Sequence, residues 1–527
     1  MLTLLVSRAL SRVAVALAAA ALVASCETSS IANTAPPGAP LVANDLTAER
    51  VILQAYRAIG DRHIFDPDFR KLAPDTYRGF ISADPSLSLQ TNDKTFTVLH
   101  DGREVITRPI PAASDDGRAW GGLMAELLVA SLDASPTLRA ADRQVQIKQA
   151  MVATTKPLDR NSRYADPDEA RENRFQRDGG GGVGITVERT DEKKVFIRNV
   201  QDNSPASKAG LLIGDQIVGI DGETVGEKPL SEVVRLLRGA IGAPVLIAVR
   251  RAGQTAEIKA ALKRGRIIPT TVLYDRRGDV AHIRVMGFNT ATTETLKATL
   301  DKARADIGPG LTGIIVDMRG NRGGLLDQAL SVTEVFIGDG VVFSTQGRHP
   351  ESRRSYRSSS GRKSPDTPMV VLVNGMSASA AEIVAAALQD RGRAAIVGTT
   401  SYGKGTVQTV VRLPNEGELV LTWSRLLAPS GYTWNELGVL PNICTAKVSD
   451  TLQLGADAAD ANRSSLMRWH AARNPTADEI ATLRQICPPG EGSPDRDLEI
   501  AGRLLGDRDL YARAVRAGTD QAAVTRQ

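Results

Sequence analysis

A strand, a turn of small residues and a helix follow one another in Met369-Val-Val-Leu-Val-Asn-Gly-Met-Ser-Ala-Ser-Ala-Ala-Glu-Ile-Val-Ala-Ala-Ala-Leu-Gln-Asp390. The aliphatic run up to Val373 predicts a buried strand, and a helix is expected from Ala380. A serine at this junction has little side-chain bulk around its hydroxyl and lies beside backbone N–H groups that favour developing negative charge. Ser377 and Ser379 are therefore candidate nucleophiles, although serines at such positions more often cap the helix.

Strands and helices alternate around this stretch, from residue 265 to residue 448, which predicts a layered α/β core. The preceding residues, 178–264, form short β-rich runs with one amphipathic helix, and they predict a compact β-domain. Apolar residues recur at helical spacing within 45–177, so a mostly helical N-terminal domain is expected there. Residues 449–527 predict a C-terminal extension of polar helices that cap the core or lie on its surface.

The amino terminus has the proportions of a signal peptide over residues 1–25. Arg8 and Arg12 precede the apolar stretch Val13–Val23, which is too short to span a bilayer. The following Val23-Ala-Ser-Cys26 resembles the lipobox of bacterial lipoproteins, which implies lipidation of Cys26 and a membrane anchor. A plain secretory signal with an incidental cysteine is the alternative. Residues 26–44 are rich in Ser, Thr, Ala and Pro and predict a flexible tether.

Cysteine usage fits an exported protein, whereas the net charge bears only on nucleic-acid binding. The net charge of +5 is too small to indicate nucleic-acid binding. Of the three cysteines, two remain after lipidation of Cys26, and an oxidising compartment favours their pairing. We predict a Cys444–Cys487 disulfide. A reduced, buried pair remains open, because spacing alone does not show how close the two Cα atoms lie.

Two glycine-rich segments imitate nucleotide-binding motifs. Gly179–Gly184 fits G-x-G-x-x-G, but it leads into a strand, whereas a dinucleotide fingerprint follows a strand and opens a helix. Gly398 to Lys404 nearly fits a phosphate loop, but Gly405 stands where a magnesium-binding Ser or Thr is required. Neither segment therefore predicts nucleotide binding.

A nucleophilic serine needs a base, and the sequence offers histidine or lysine. None of the five histidines lies in a motif-like setting. A neutral lysine can serve if burial lowers its pKa from about 10.4. Lys404, between two glycines and after a predicted strand, fits that requirement better, and the histidine alternative stays open.

The β-domain carries the stretch Ser204-Pro-Ala-Ser-Lys-Ala-Gly-Leu-Leu-Ile-Gly-Asp-Gln-Ile-Val-Gly-Ile-Asp-Gly222, which resembles bacterial PDZ domains. The resemblance implies a loop that receives a peptide carboxylate while the peptide adds to a sheet edge. In this chain that loop corresponds to Gly182, Val183, Gly184 and Ile185. A PDZ domain kept only as a spacer is the alternative.

The run Ser377–Asp390 followed by Gly403-Lys-Gly-Thr-Val-Gln408 resembles the signature of the carboxyl-terminal processing peptidases, the tail-specific proteases. The resemblance implies that Ser379 is the nucleophile and Lys404 the general base. It also implies that Gln408 orients Lys404 by hydrogen bonding, and that Asp390 is a supporting acid with a structural or orienting role.

The chain resembles the same family in a second motif, Asp317-Met-Arg-Gly-Asn-Arg-Gly-Gly324. It implies that the amides of Gly324 and Ala380 form an oxyanion hole. The family resemblance further implies a crotonase-like α/β core, no metal or organic cofactor, and a PDZ domain that binds the apolar carboxyl termini of substrates.

Taken with the leader, the resemblance predicts a periplasmic serine endopeptidase, anchored by lipid to the inner or outer bacterial membrane. Its expected partners are exported proteins and peptides with apolar carboxyl termini, and an adaptor lipoprotein is left open. Two other functions remain: a non-enzymatic PDZ scaffold, and an esterase on the same fold.

Overall fold

The structure is a computed structural model that describes residues 48–359, 361, 367–448, 456–472 and 475–519, with only the backbone for 456–462 and 519. The predicted signal peptide, the tether and Cys26 lie outside the described residues. No helix in the described part of the chain is both long enough and apolar enough to cross a membrane.

Residues 48–178 form helices around a small antiparallel sheet. Val51, Ile52, Ala55 and Ile59 are all buried, so the first helix turns one apolar face inward. The helices are α1 (Ala48–Arg62), α2 (Phe69–Ile81), α3 (Gly117–Ala134), α4 (Pro136–Ala140), α5 (Arg143–Thr155) and α6 (Pro167–Asp178). The strands are β1 (Leu87–Thr91), β2 (Thr95–His100), β3 (Arg103–Pro109) and β4 (Arg163–Ala165).

The sheet β1-β2-β3 is absent from the sequence-based expectation of a mostly helical segment. Its strands are short, and β3 has no buried residue, so the alternation of apolar and polar residues that indicates a strand is weak there. Helix α6 begins at a capping box in which Asp166 accepts from the backbone of Glu169, and Pro167 occupies its first position.

Residues 180–267 form a β-domain with one edge strand beside a helix. Its main sheet has the order β11-β10-β8-β7-β6, so β6 lies at an edge. The helices are α7 (Pro205–Lys208) and α8 (Leu230–Leu237). The strands are β5 (Gly180–Gly182), β6 (Ile185–Arg189), β7 (Val195–Val200), β8 (Gln216–Ile220), β9 (Glu223–Thr224), β10 (Pro244–Arg250), β11 (Ile258–Lys263) and β12 (Gly265–Ile267).

The remaining chain up to Cys444 builds two sheets with helices between and beside them. The helices are α9 (Thr292–Ile307), α10 (Leu326–Glu334) and α11 (Ala380–Asp390). The strands are β13 (Val272–Arg277), β14 (Val280–Val285), β15 (Gly313–Asp317), β16 (Gly340–Gln346), β17 (Arg354–Ser358), β18 (Met369–Val373), β19 (Ala395–Gly398), β20 (Thr406–Arg412), β21 (Glu418–Leu427) and β22 (Ile443–Cys444).

The larger sheet has the order β13-β14-β15-β18-β19-β22, and every pair from β14 onward is parallel. The smaller has the order β17-β16-β21-β20, with β4 paired to β21. Because parallel strands place their carboxyl ends at one edge, the loops after Asp317, Val373 and Gly398 emerge side by side. These loops contain the predicted oxyanion, nucleophile and base residues.

Among the described residues after Cys444 there are four α-helices: α12 (Ala456–Ala471), α13 (Ala477–Arg484), α14 (Pro494–Gly506) and α15 (Arg508–Thr519). Ile500, Leu504 and Ala514 are buried against one face of the larger sheet, whose other face packs on α9, α10 and α11. The polar tail is therefore integral to the core, because α14 and α15 each direct a narrow apolar stripe at the sheet.

A disulfide joins Cys444 at the end of β22 to Cys487 after α13, with Cα atoms 5.8 Å apart. That separation lies within the usual range for a disulfide. Both cysteines are buried. The bond therefore ties the C-terminal helices to the last strand of the larger sheet.

Replacing both cysteines with alanine is expected to lower the free energy of unfolding by about 2–4 kcal/mol, since the bond constrains the unfolded chain. The two residues are 43 positions apart, so the closed loop is substantial. Denaturant unfolding of the variant and of the wild type with and without reductant measures this change. An unchanged unfolding midpoint would contradict it.

Candidate active site

Ser379 occupies the turn between β18 and α11 in a strained backbone conformation. Its φ is 57° and its ψ −116°, a region that favours glycine. Holding a serine there costs on the order of 1–3 kcal/mol, and such strain concentrates at functional sites. The side chain is only partly buried. Ser379 is therefore placed at the helix amino terminus and remains accessible.

Ser377 has a different environment although it is only two residues away. It is 0% exposed, and its hydroxyl donates to Met318 O (2.8 Å) and accepts from Asn374 N–H (2.9 Å). The bond to Met318 ties the turn to the loop after β15, and the bond from Asn374 closes the turn on itself. Of the two candidate nucleophiles, Ser377 holds the loops together and Ser379 is accessible.

The glycine pair after β15 packs against Ser379. Gly323 has a φ of 97°, and a Cβ there would lie 2.8 Å from Ser379 Cβ and 3.0 Å from Ala380 N. A Cβ on Gly324 would lie 2.1 Å from Phe288 O. Neither position can take a side chain without moving the backbone, which explains the two glycines and the close approach of this loop to Ser379.

Two backbone N–H groups beside Ser379 have no hydrogen-bond partner among the described residues: those of Gly324 and Ala380. Gly324 forms an isolated bridge with Phe288, but this bridge uses the carbonyl of Gly323 and the N–H of Leu325. Ala380 is the first residue of α11 and so has no intrahelical acceptor. Free N–H groups at such a place can stabilise an oxyanion.

Lys404 lies in the loop between β19 and β20 with its side chain half-buried. Burial lowers its pKa, the positive charge of Arg163 lowers it further, and the charge of Glu382 opposes both. A lysine with a lowered pKa can accept a proton. In this structure no hydrogen bond joins Lys404 Nζ to Ser379 or to any other described residue.

Sequence reasoning gave no role to Glu382, which connects the serine turn to the lysine loop. Its Oε2 accepts from Ser379 N–H (2.7 Å) and Lys404 N–H (2.9 Å). Its Oε1 accepts from Gly403 N–H (2.7 Å) and Ser401 Oγ (2.5 Å). Because the same oxygen accepts from both N–H groups, the backbone nitrogens of Ser379 and Lys404 lie close together.

Glu382 is 0% exposed, and burial raises its pKa, while its four hydrogen bonds act in the opposite direction. All four partners donate: three are N–H groups, and Ser401 Oγ already accepts from Val439 N–H (2.7 Å). These contacts fit the ionised carboxylate. The sequence signal for Glu382 was the spacing Ser379-x-x-Glu382, which is that of a capping box.

Replacing Glu382 with glutamine is expected to weaken the site, because the amide nitrogen must face N–H donors instead of accepting from them. Each carboxylate oxygen accepts from two donors, so at least one buried donor then loses its partner, at a cost of about 1–3 kcal/mol in stability. Thermal unfolding of Glu382→Gln measures this. Glu126→Gln, at a residue whose exposed carboxylate contacts Arg108, is the control and should unfold like the wild type.

Gln408 makes no hydrogen bond to Lys404 in this structure, so the orienting role that the family resemblance implies stays a prediction. Its amide donates to the hydroxyls of Thr406 (2.9 Å) and Thr422 (3.4 Å). Thr406 is two residues from Gln408 on β20, so the two side chains project from the same face of that strand.

Asp390 lies at the other end of α11 from Ser379, about 16 Å away at 1.5 Å per residue. It is buried, and its Oδ2 accepts from Ser430 N–H (2.8 Å). Burial raises its pKa, and the charge of His470 opposes this rise. The distance fits a structural acid and excludes direct contact with the serine hydroxyl.

The histidine alternative gains no support from the structure. His63 pairs with Asp159 (2.9 Å) and His282 with Asp317 (3.2 Å), and neither histidine bonds to Ser379. Within the described ranges, no group of three or more His, Cys, Asp or Glu residues could hold a metal ion.

The predicted carboxylate loop precedes the edge strand β6. Gly184 has a φ of 82°, and a Cβ there would lie 2.3 Å from Ser204 Cβ. Val183 O accepts from Ala206 N–H (2.9 Å), and Gly184 O accepts from Gln201 N–H (2.8 Å). Hydrogen bonds to two of its carbonyl oxygens thus hold the loop in place. Strand β6 has one unpaired edge, to which an extended peptide can add as a further strand.

Comparisons with known proteins agree with this organisation. The sequence profile of Peptidase family S41 matches residues 279–445, and that of the PDZ domain matches residues 196–251. A carboxy-terminal-processing protease of Bartonella bacilliformis is 37% identical over 373 residues, which cover 70% of this chain and 85% of that protein. The carboxy-terminal processing protease CtpA of Bacillus subtilis is 33% identical over 264 residues, which cover 50% of this chain and 55% of the Bacillus protein.

Solved structures of similar proteins include the photosystem II D1 C-terminal processing protease. It is 23% identical, with a TM-score of 0.39, and the match covers 75% of this chain and 92% of that one. The PDZ domain of a carboxy-terminal protease from Vibrio cholerae, in complex with a peptide, is 28% identical with a TM-score of 0.16, covering 17% of this chain and 97% of that one.

Proposed function

Because the chain belongs to peptidase family S41 and is a serine protease with a PDZ domain, we propose that it is an endopeptidase in which Ser379 is the nucleophile and Lys404 the general base. The observation that carries this assignment is Glu382 Oε2, which accepts hydrogen bonds from the backbone N–H of both residues. This shared carboxylate supports the assignment because it keeps the backbones of the two residues near each other.

In the proposed reaction, neutral Lys404 Nζ takes the proton of Ser379 Oγ as Oγ attacks a peptide carbonyl carbon. The carbonyl oxygen becomes an oxyanion and accepts from the free N–H groups of Gly324 and Ala380. The Lys404 ammonium then gives its proton to the departing amine, which leaves an ester between the substrate and Ser379. Water, deprotonated by Lys404, hydrolyses this ester and restores the hydroxyl.

The proposed domain organisation is a mostly helical N-terminal domain with a small sheet at 45–177, a PDZ domain at 178–264, a crotonase-like peptidase core at 265–448 and a C-terminal extension at 449–527. The edge strand β6 and the loop Gly182–Ile185 would bind the carboxyl terminus of a substrate, with preference for apolar residues. Gln408 would orient Lys404 only after turning away from Thr406.

The proposed location is the periplasmic side of a bacterial membrane, with lipid on Cys26. Exported proteins are the proposed substrates, and an adaptor lipoprotein is a further proposed partner. We expect labelled palmitate to be incorporated into the wild type and not into Cys26→Ser. Incorporation that persists in Cys26→Ser would contradict the proposed anchor.

The function is tested with the purified protein, a fluorophosphonate reagent and two unfolded substrates that differ only in apolar or aspartate residues at the carboxyl terminus. We expect the reagent to modify Ser379, as located by mass spectrometry, and to stop cleavage, and the apolar substrate to be cleaved faster. Hydrolysis of small esters without protein cleavage would favour the esterase. Absence of both modification and turnover would favour the scaffold.

A further inference from the structure

Residues Arg484–Asp497, here called the strap, begin at the last residue of α13 and end in the first turn of α14. They lie outside the residues matched by the peptidase profile, 279–445. Cys487 of the strap carries the disulfide to Cys444. This segment contacts all three loops that emerge after β15, β18 and β19.

On the serine side, the strap binds the turn before Ser379. Gly375 N–H donates to Gly490 O (2.8 Å), and Asn374 Nδ2 donates to Glu491 O (3.0 Å). A Cβ on Gly375 would lie 2.9 Å from Gly490 N, so the two backbones are packed directly against each other. The turn is therefore held in place by strap backbone as well as by Ser377.

On the lysine side, the hydroxyls of Thr399 and Thr400 donate to Gly490 O (2.9 Å) and Cys487 O (2.5 Å). Gly490 O thus accepts from both the serine turn and the lysine loop. Thr399 and Thr400 are the first two residues after β19, and both side chains are buried. The strap consequently sets the spacing between the two loops.

Arg484 adds a second contact to the lysine loop. Its Nη1 donates to Glu436 O (2.9 Å) and Leu437 O (2.7 Å), and its Nη2 approaches Ser401 O (3.5 Å). Glu436 N–H in turn donates to Gly403 O (2.7 Å), next to Lys404. Arg484 therefore supports the segment around Glu436, which in turn binds the lysine loop next to Lys404.

On the oxyanion side, Asp497 is 0% exposed and its Oδ2 pairs with Arg319 Nη1 (3.0 Å). The same Arg319 nitrogen donates to Pro494 O (2.9 Å). Arg319 also pairs with Asp317 (2.7 Å) at the end of β15. The strap thus fixes the start of the loop that leads to Gly324.

We propose that the strap is a positioning element of the active site, with Arg484 and Asp497 as positioning residues that act through the three loops. It sets the mutual placement of Ser379, Lys404 and Gly324 and makes no contact with substrate. This inference rests on the proposed function, because it assumes that these three residues react together. A displacement of about 1 Å between reacting groups costs up to about 100-fold in rate.

The test compares Arg484→Ala, Arg484→Lys and Asp497→Asn with Arg276→Ala in the full-length protein. Arg276 also donates to two backbone carbonyls, those of Gly278 and Asp306, but it lies on β13 at the far edge of the larger sheet. The readouts are kcat and KM for an unfolded substrate, the rate of Ser379 modification by a fluorophosphonate, and the melting temperature.

We expect Arg484→Ala and Asp497→Asn to lower kcat and the modification rate by about 10–100-fold with KM changed by less than about twofold. Arg484→Lys should recover part of this loss, and Arg276→Ala should keep the wild-type rates. Wild-type rates in both strap variants would overturn the proposal while leaving the proposed function intact, as would a loss of activity only at temperatures where the variant unfolds. Failure of the wild type to react at Ser379 would overturn the proposed function and the strap proposal together.

Discussion

Ser379→Ala is expected to lower kcat/KM for protein cleavage by about 10⁴-fold or more, because no other group in the site can form the acyl intermediate. The partly buried hydroxyl lies at the amino terminus of α11, next to the free N–H of Ala380. The measurement is the initial rate of cleavage of an unfolded substrate, together with loss of fluorophosphonate labelling. A variant that retained a tenth of the wild-type rate would contradict the assignment.

Ser377→Ala is the natural comparison, because its two hydrogen bonds make it structural. We expect this variant to lose about 1–3 kcal/mol of stability, since Asn374 N–H would lose its acceptor and Met318 O one of its two donors, yet to retain labelling at Ser379. Ser379→Gly provides a second comparison. It should be as inactive as Ser379→Ala but more stable, because glycine tolerates the φ of 57° that alanine does not.

The strand, turn and helix around Ser379 could be predicted almost to the residue, because a continuous aliphatic run and an alanine-rich helix leave little ambiguity. The observed bounds are Met369–Val373 and Ala380–Asp390. Neighbouring placement of the three loops also follows from sequence, since parallel strands share one edge. These features depend on local pattern and on the general rules for parallel sheets.

Contacts between distant segments could not be predicted in this way. The spacing from Ser379 identifies Glu382 as a helix cap. Its hydrogen bonds with residues 401–404 are long-range contacts, which no sequence periodicity predicts. The strap was equally hidden, since Gly490 and Glu491 bind through backbone carbonyls that any residue carries. The local sequence around Asp497 also gives no sign of its burial, because its partner, Arg319, is 178 positions away.

Lys404→Ala is expected to lower kcat/KM by about 10²–10⁴-fold, the usual contribution of a general base. Lys404→Arg should be similarly impaired, because a guanidinium keeps its proton and cannot accept another. Lys302→Arg, on the exposed face of α9, is the matched control and should cleave like the wild type. Near-normal cleavage by Lys404→Arg would exclude lysine as the base.

The pH dependence of kcat/KM also tests Lys404 as the general base, because two substitutions near this lysine should shift the profile in opposite directions. A base must be neutral, so kcat/KM should rise with pH as Lys404 loses its proton, with the midpoint below the usual pKa of about 10.4 because burial lowers the lysine pKa. Arg163→Ala removes a positive charge that lowers this pKa, so its profile should shift to higher pH, and the shift should shrink in high salt. Glu382→Gln removes a negative charge that raises it, so its profile should shift to lower pH. Shifts in the same direction would mean that a group other than Lys404 controls the profile.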